Sequence, residues 1–223
     1  MRYFWLNILI LAGPVILSFD QKVSYYKRWP AVFLSILVVG LFYVGWDIYA
    51  ARRGDWGFNS KYLMGKSFFG LPLEEVLFFL TVPFSCIFIY ECVRAYLPET
   101  IVFFPPAAAV FFAVLFGISA YIFRGRNYTC LVFSVSGIFF LLAGRFGGGM
   151  LSSSHFWIAI FISYLPFIVT NGILTGLPVV IYNSRAILGI RITSIPLEDF
   201  FYSFSMLGFY FLVFLLFRPW VSF

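Results

Sequence analysis

Seven apolar stretches run along the chain, and short polar or charged segments separate them. A helix needs about twenty apolar residues to cross some 30 Å of hydrocarbon. The pattern therefore predicts seven transmembrane helices, with ends defined to within a few residues. They cover 3–19, 31–51, 73–97, 101–123, 128–149, 156–176 and 197–217. No strand pattern is recognised between them.

The first apolar run is the shortest, and its length also suits a signal peptide. It lacks a small-residue cleavage site, and the repeat described next requires a helix there, so we interpret it as a helix. Prolines inside the runs are tolerated only where neighbouring helices or local kinks satisfy the freed carbonyls. Kinks near Pro83 and Pro166 would widen a cavity between helices, or would only adjust packing.

An internal repeat appears when 124 is added to the residue numbers of the first half. The aligned positions are Asp47 with Asn171, Asn59-Ser60 with Asn183-Ser184, Gly65 with Gly189, and Pro72-Leu73-Glu74-Glu75 with Pro196-Leu197-Glu198-Asp199. The sequence thus predicts an all-α integral membrane protein of about seven helices. Two three-helix repeats, 1–97 and 127–223, are joined by a linking transmembrane helix in 98–126.

The linking helix determines how the two repeats are oriented. One extra crossing gives both repeats the same direction through the membrane, so the repeat is parallel. Both polar loops, and both Pro-Leu-acid-acid corners, are then expected on one membrane face, where they can form one site.

Composition and charge support a membrane protein and exclude a nucleic-acid reader. The chain is 62% hydrophobic and 11% charged, and its net charge of +6 is distributed over short loops rather than on a soluble face. The face with the two corners carries nine Lys and Arg residues and the other carries six. This difference favours a multi-pass cell-membrane protein whose motif loops are cytoplasmic.

The acids at the two corners are the strongest candidates for chemistry. Proline followed by two acids is also an ordinary helix start, because the helix dipole favours negative charge at its N-terminus. Two such corners at matched positions make a shared site the better interpretation. Asp47 is a further candidate, although it can also pair with Arg52 or Arg53 at the interface. Glu91 and Arg94, three residues apart on one helix, are expected to form a structural pair.

Several functional classes lack the residues that they need. The three cysteines show no CxxC spacing, and the glycines at 144 and 147–149 show no phosphate-loop pattern. A retinal protein requires a lysine midway along a helix, whereas Lys22, Lys27, Lys61 and Lys66 all fall in loops. A small transporter agrees with the internal repeat, but its charged groups would be expected near the membrane midplane.

The motif around the first corner resembles the lycopene cyclase domain of heterodimeric and fused carotenoid cyclases. The matching residues are Trp46-Asp47, Gly54, Trp56, Phe58, Gly70-Leu71-Pro72-Leu73-Glu74-Glu75 and Leu77-Phe78-Phe79. The resemblance covers roughly 31–97 and 155–217. In the second half Asn171 replaces the acid and the tryptophan-rich part of the loop is missing, which suggests one acid-rich and one supporting half.

The resemblance implies a lycopene cyclase of the intramolecular lyase or isomerase type, which closes the ends of a linear carotene into ionone rings. Such a reaction needs a protonated carboxyl, aromatic faces around a carbocation and exclusion of water. The expected catalytic residues are Glu74, Glu75, Glu198, Asp199 and Asp47. The expected substrate-binding residues are Trp46, Trp56, Phe58, Asn171, Pro72 and Pro196.

The sequence shows no nucleotide-binding motif and no metal-ligand cluster, so we expect the reaction to need no bound cofactor and no metal. The expected partners are lycopene or a related linear carotene, the lipid bilayer and other enzymes of carotenoid synthesis, with no nucleic acid. The alternatives to a cyclase are a small membrane transporter and a non-catalytic membrane protein that binds carotenoid or lipid.

Overall fold

The described part of the chain contains seven α-helices, as the apolar pattern predicts. The computed structural model describes residues 2–219, so the outer limits of the predicted repeats, residues 1 and 223, lie outside it. The helices are α1 Arg2–Leu17, α2 Trp29–Arg53, α3 Leu73–Tyr96, α4 Pro106–Ile122, α5 Asn127–Phe146, α6 Ser154–Gly176 and α7 Leu197–Phe217. The predicted fold class, an all-α membrane protein, is confirmed.

The helices differ in how well their lengths fit a membrane. Within residues 2–219, five helices are long and apolar enough to cross it: α2 with the 3₁₀ turn before it, α3, α5, α6 and α7. The helices α1 and α4 are shorter, with 16 and 17 residues. They expose large apolar side chains such as Leu9 and Phe111, at 72% and 62%. Surfaces of this kind suit contact with lipid.

The predicted start of the fourth helix was wrong by five residues. The prediction began at 101, whereas α4 begins at Pro106. Proline disfavours helical geometry in the residue before it, and Pro105 itself is extended, with φ −68° and ψ 153°. The segment before α4 instead lies against the loop before α6, where the Val102 amide donates to the Ser152 carbonyl at 2.8 Å.

Six short strands in the loops correct the expectation that the chain contains none. They are β1 Trp56–Phe58, β2 Ser67–Phe68, β3 Leu71–Pro72, β4 Val180–Tyr182, β5 Arg191–Ile192 and β6 Ile195–Pro196. Each has two or three residues, which is too few for an alternating pattern to be seen in the sequence. Adding 124 to the numbers of β1, β2 and β3 gives β4, β5 and β6.

The pairing of β1 with β4 joins the two long loops. The strands are antiparallel, and Trp56 lies opposite Tyr182, Gly57 opposite Ile181 and Phe58 opposite Val180. Because these strands are equivalent under the 124-residue shift, this register is the one that a local twofold axis through the central pair produces. On this basis we propose that 1–97 and 127–223 are two copies of one unit, and that 98–126 links them.

Neighbouring helices satisfy two of the carbonyls that prolines leave free. Proline has no amide hydrogen for the carbonyl four residues earlier. Opposite Pro14, the Ile10 carbonyl accepts a hydrogen bond from the Ser85 hydroxyl at 3.0 Å. Opposite Pro83, the Phe79 carbonyl accepts one from the Tyr210 hydroxyl at 3.2 Å.

A cluster of charges ties three helix ends together at the face opposite the long loops. The Arg94 guanidinium lies 3.0 Å from the Glu91 carboxylate, so the predicted structural pair is confirmed. The same carboxylate also faces Arg218 at 3.2 Å and Arg28 at 3.8 Å. One buried acid thus connects the ends of α2, α3 and α7.

Both long loops are expected to be reached from the same side of the membrane. Ser60 and Ser184 occupy equivalent exposed positions in them. In a protein whose three native cysteines are replaced, Ser60→Cys and Ser184→Cys should react with a membrane-impermeant thiol reagent from one side. Gln21→Cys, in the loop between α1 and α2, should react only from the other side. Labelling of positions 60 and 184 from opposite sides would exclude the parallel arrangement.

Replacing the buried acid of the arginine cluster is expected to destabilise the protein. Removing one partner of a fully buried ion pair costs about 3–5 kcal/mol, and we expect about 2 kcal/mol for Glu91→Gln because the arginines are partly exposed. The measurement is thermal unfolding of the purified protein in detergent. Glu99→Gln, at a carboxylate that is 54% exposed on the same face, serves as the control and should change little. An unchanged melting temperature for Glu91→Gln would contradict the structural role.

Candidate functional site

Each Pro-Leu-acid-acid corner forms where a hairpin leads directly into a helix. The strands β3 and β6 end at Pro72 and Pro196, which are the N-terminal caps of α3 and α7. Both prolines are buried, and the acids follow in the first helical turn. Consecutive helical residues point about 100° apart, so the two acids of one corner face different surroundings.

The first acid of each pair binds its own loop. Glu74 and Glu198 are fully buried. The Glu74 Oε1 atom accepts a hydrogen bond from the Met64 amide, and the Glu198 Oε1 atom accepts one from the equivalent Leu188 amide, both at 2.5 Å. These carboxylates therefore hold each loop against the start of the following helix.

The second acid of each pair lines a shared cavity. Glu75 and Asp199 face it together with Asp47, which extends from the last turns of α2. The cavity lies between α3, α6 and α7, and residues of β1 and β4 line its loop end. The structure thus brings together three of the five acids predicted to be catalytic and places Glu74 and Glu198 outside the lining.

The three cavity acids differ in their hydrogen bonds. Asp199 accepts two, from the Tyr128 hydroxyl at 2.7 Å and the Tyr182 hydroxyl at 2.8 Å. Glu75 accepts one from the Tyr3 hydroxyl at 2.7 Å. The Oδ2 atom of Asp47 is buried and has no hydrogen-bond partner in the described part of the chain. Donated hydrogen bonds stabilise a carboxylate charge, so Asp199 is the best supported of the three as an anion.

Tyr182 is fixed as a donor by its surroundings. It lies in β4, outside the helices that cross the membrane. Burial, together with the negative charge of Asp199 and its hydrogen bond to that carboxylate, raises the pKa of Tyr182 well above the usual range for tyrosine. The phenol therefore keeps its proton and donates it in the hydrogen bond to Asp199.

Burial and, after it, neighbouring negative charge shape the electrostatics of the cavity acids. Glu75 lies within electrostatic reach of Asp199 and Asp47. No lysine or arginine is found among the cavity residues of the described chain. Nor do residues 2–219 contain a group of three His, Cys, Asp or Glu side chains arranged to hold a metal ion.

Aromatic rings surround the acids. The Trp56 ring centroid lies 5.0 Å from that of Tyr128, and Tyr128 stacks on Tyr182 at 5.8 Å. Tyr202 and Phe167 complete the aromatic part of the wall. Such faces attract a cation, and the attraction is strongest where water is excluded.

Only some of the residues predicted to bind substrate lie in the cavity wall. Trp56 and Asn171 line the cavity. Trp46 does not, because its ring packs against Tyr202 and Tyr43 in a neighbouring aromatic cluster. Phe58 packs against the core from β1, outside the cavity lining.

Sequence reasoning missed the tyrosines that bind the acids. Tyr3, Tyr128 and Tyr182 lie in three different elements, and the 124-residue repeat does not reveal them because Phe4 and Phe58 occupy the positions equivalent to Tyr128 and Tyr182. Of the two prolines considered for kinks, Pro166 lines the cavity and Pro83 does not. Thr129, which donates to Glu198 at 2.6 Å, was also missed.

Comparison with known proteins identifies the family. The family model described as lycopene cyclase matches residues 1–93 and 125–217, two segments separated by the same 124 residues as the internal repeat. The match includes α1 and α5, beyond the 31–97 and 155–217 segments in which the resemblance was recognised. No curated protein and no solved structure matches the chain. With both halves matched by that family model, the chain belongs to the lycopene cyclase family.

Proposed function

We propose that this protein cyclises the ends of a linear carotene, converting lycopene to a product of the β-carotene type without net redox change. The observation that carries the proposal is the cavity in which Asp47, Glu75 and Asp199 lie among aromatic rings at one end of the helices. Membership of the family supports a carotene as substrate. The reaction would be an isomerisation of the intramolecular lyase type.

The chemistry follows from the structure of an acyclic isoprenoid end. A proton added to the terminal double bond leaves a tertiary carbocation, and a neighbouring double bond attacks it to close the ring. Loss of a proton from an adjacent carbon then restores a double bond. One proton is gained and one is lost, so the product is an isomer and no electrons are exchanged with a cofactor.

We assign the proton donor to the pair formed by Asp47 and Glu75. Two carboxyls that lie close together in a buried site share a proton more readily than they carry two charges. Asp47 also has an oxygen without a hydrogen-bond partner among residues 2–219, which leaves it available to the substrate. Asp199, held by two tyrosine hydroxyls, remains an anion that stabilises the cation and receives the departing proton.

The aromatic wall and the paired strands complete the site. Trp56, Tyr182 and Val180 line the loop end of the cavity, where they would shield a bound substrate from water outside the membrane. Excluding water prevents the cation from being trapped as an alcohol. Each aromatic face contributes roughly 0.5–2 kcal/mol of cation stabilisation when it is desolvated.

The location of the site suits a substrate dissolved in lipid. The acids lie at one end of apolar helices, so a carotene can reach them from within the bilayer. We propose a multi-pass protein of the cell membrane with its motif loops in the cytoplasm, where other enzymes of carotenoid synthesis would be its neighbours.

Pigment analysis after expression in a lycopene-accumulating bacterium tests the proposal directly. A cyclase converts lycopene to carotenes with one or two rings. A non-catalytic carotenoid-binding protein would retain lycopene unchanged, and a transporter would alter only where the pigment is found. Unchanged lycopene in cells that contain the folded protein would refute the proposed activity.

The cavity acids are expected to be essential for ring formation. Asp47→Asn, Glu75→Gln and Asp199→Asn keep side-chain size but remove the carboxyl that transfers or balances the proton. General acid–base groups contribute about 10²–10⁴-fold, so we expect losses of that size, equivalent to roughly 3–5 kcal/mol of barrier. Ring formation is measured by chromatography, normalised to folded protein in the membrane.

Two further substitutions separate chemistry from loop anchoring. Glu74→Gln and Glu198→Gln retain an oxygen that can accept from the Met64 and Leu188 amides, so we expect them to lower stability more than catalysis. Glu99→Gln, on the opposite face, should behave as the native protein. Full activity in all three cavity variants would mean that the cavity acids take no part in ring formation.

The reaction is expected to proceed without an added redox cofactor or metal. Purified protein in detergent, treated with a chelator and supplied with no nucleotide, should still cyclise lycopene, because three carboxyls supply the required proton transfers. The assay compares ring formation before and after chelation, and with and without reduced flavin. A strict dependence on reduced flavin would contradict the mechanism proposed above.

A further inference from the structure

The cavity is elongated along the helices. On α3 its lining residues run from Glu75 to Ile89, a distance of about 21 Å at 1.5 Å per residue. The acids lie at the loop end, whereas the deeper part is lined by small or apolar side chains such as Cys86, Ser163 and Met206. The lining thus extends along the helices from the acids, in the direction that a linear hydrocarbon with one end at the acids would take.

The cavity has a wall at the apolar outer surface of the protein. Pro166 lines it and is at the same time exposed on the outer side of α6. The neighbouring residues Leu165 and Val169 are 67% and 62% exposed, as expected for a surface in contact with lipid. A chain that enters or leaves the cavity sideways through this wall would pass Pro166.

The equivalent interface in the other half is filled. The 124-residue shift relates the α3–α6 interface to the interface between α7 and α2. There Tyr43 packs against Trp46 at 5.5 Å, Tyr202 at 5.4 Å and Tyr210 at 6.5 Å between ring centroids. Tyr43 and Tyr210 are fully buried, so aromatic rings occupy the space that is open on the cavity side.

Three pairs of equivalent residues contribute to the difference. Cys86, Ser163 and Thr170 line the cavity. Their counterparts in the filled interface are Tyr210, Val39 and Trp46, and each counterpart is larger. All six residues are buried, so the difference in their volumes is a difference in interior space.

We propose that Cys86, Ser163 and Thr170 are specificity-determining residues that keep open a channel for the unreacted part of one carotene molecule. The inference rests on the proposed function and adds where the rest of the substrate lies. The filled interface leaves a single channel, so the protein processes one end at a time. After the first ring forms, the molecule leaves past Pro166 and re-enters with its other end.

The test introduces the residues of the filled interface into the channel. Cys86→Tyr narrows the part of the channel distant from the acids, and Cys92→Tyr, on the same helix but outside the cavity lining, is the matched control. Two substrates are compared: lycopene, and an acyclic isoprenoid hydrocarbon with the same end group but only a few isoprene units. Binding is followed by quenching of tryptophan fluorescence, and ring formation by chromatography.

The channel predicts a change in substrate preference rather than a general loss. Because small changes in the volume of an apolar pocket alter discrimination by about 10–200-fold, Cys86→Tyr should weaken lycopene binding and cyclisation by at least about tenfold. Cyclisation of the short substrate should remain within about twofold of the native protein, because its end group reaches the acids without filling the deep channel. Cys92→Tyr should retain both activities.

Other outcomes distinguish a failure of the proposed channel from a failure of the proposed cyclase activity. If Cys86→Tyr binds and cyclises lycopene like the native protein, the channel is wrong. If the native protein forms no ring from either substrate but Cys86→Tyr still loses lycopene binding, the channel is retained and the proposed activity fails. Should Cys86→Tyr not fold, as judged by size-exclusion chromatography, Ser163→Val replaces it, and its results support or overturn the channel in the same way.

Discussion

The antiparallel pairing of β1 with β4 is the constraint on which the rest of the site depends. The apolar pattern predicts that both corners lie on one membrane face. It does not predict that they come into contact. Backbone hydrogen bonds between equivalent strands fix the distance between the loops, and each loop is bound to its own helix through Glu74 or Glu198. The next residues, Glu75 and Asp199, are thereby directed into one cavity.

In the proposed mechanism, the first acid of each corner anchors its loop and the second takes part in the chemistry. Burying a carboxylate in a membrane protein is costly, and an unsatisfied buried oxygen adds about 1–3 kcal/mol. Glu74 and Glu198 each carry one such oxygen, Oε2, within the described chain, which a purely structural helix start does not require. The cost of burying Glu74 and Glu198 is explained if these residues hold Glu75 and Asp199 in position. A proton is transferred only over hydrogen-bonding distance, so the position of the acid that transfers it must be fixed.

The sequence predicted the helices well and the site only in part. Apolar runs fix helix positions because a membrane crossing requires them, and α7 has the predicted limits, 197–217. The start of α4 was missed because two adjacent prolines end an apolar run that continues as extended chain. Which acid of each corner faces the cavity depends on helix rotation, which tertiary contacts determine. The tyrosines that bind Glu75 and Asp199 come from α1, α5 and β4, and no local pattern connects residues so far apart.

The proposed channel explains the asymmetry between the halves by the shape of a linear substrate. Near the local twofold axis, Glu75 and Asp199 are equivalent, so a fully symmetric protein would offer two identical paths to the same acids. One linear molecule would then bind in two competing orientations, and a second molecule would compete for the same proton. Filling the α2–α7 interface with Tyr43, Trp46 and Tyr210 removes one path while leaving the shared acids in place. A fold with two equivalent halves can thus bind a linear molecule in a single orientation when side chains fill the helix interface on one side of its axis.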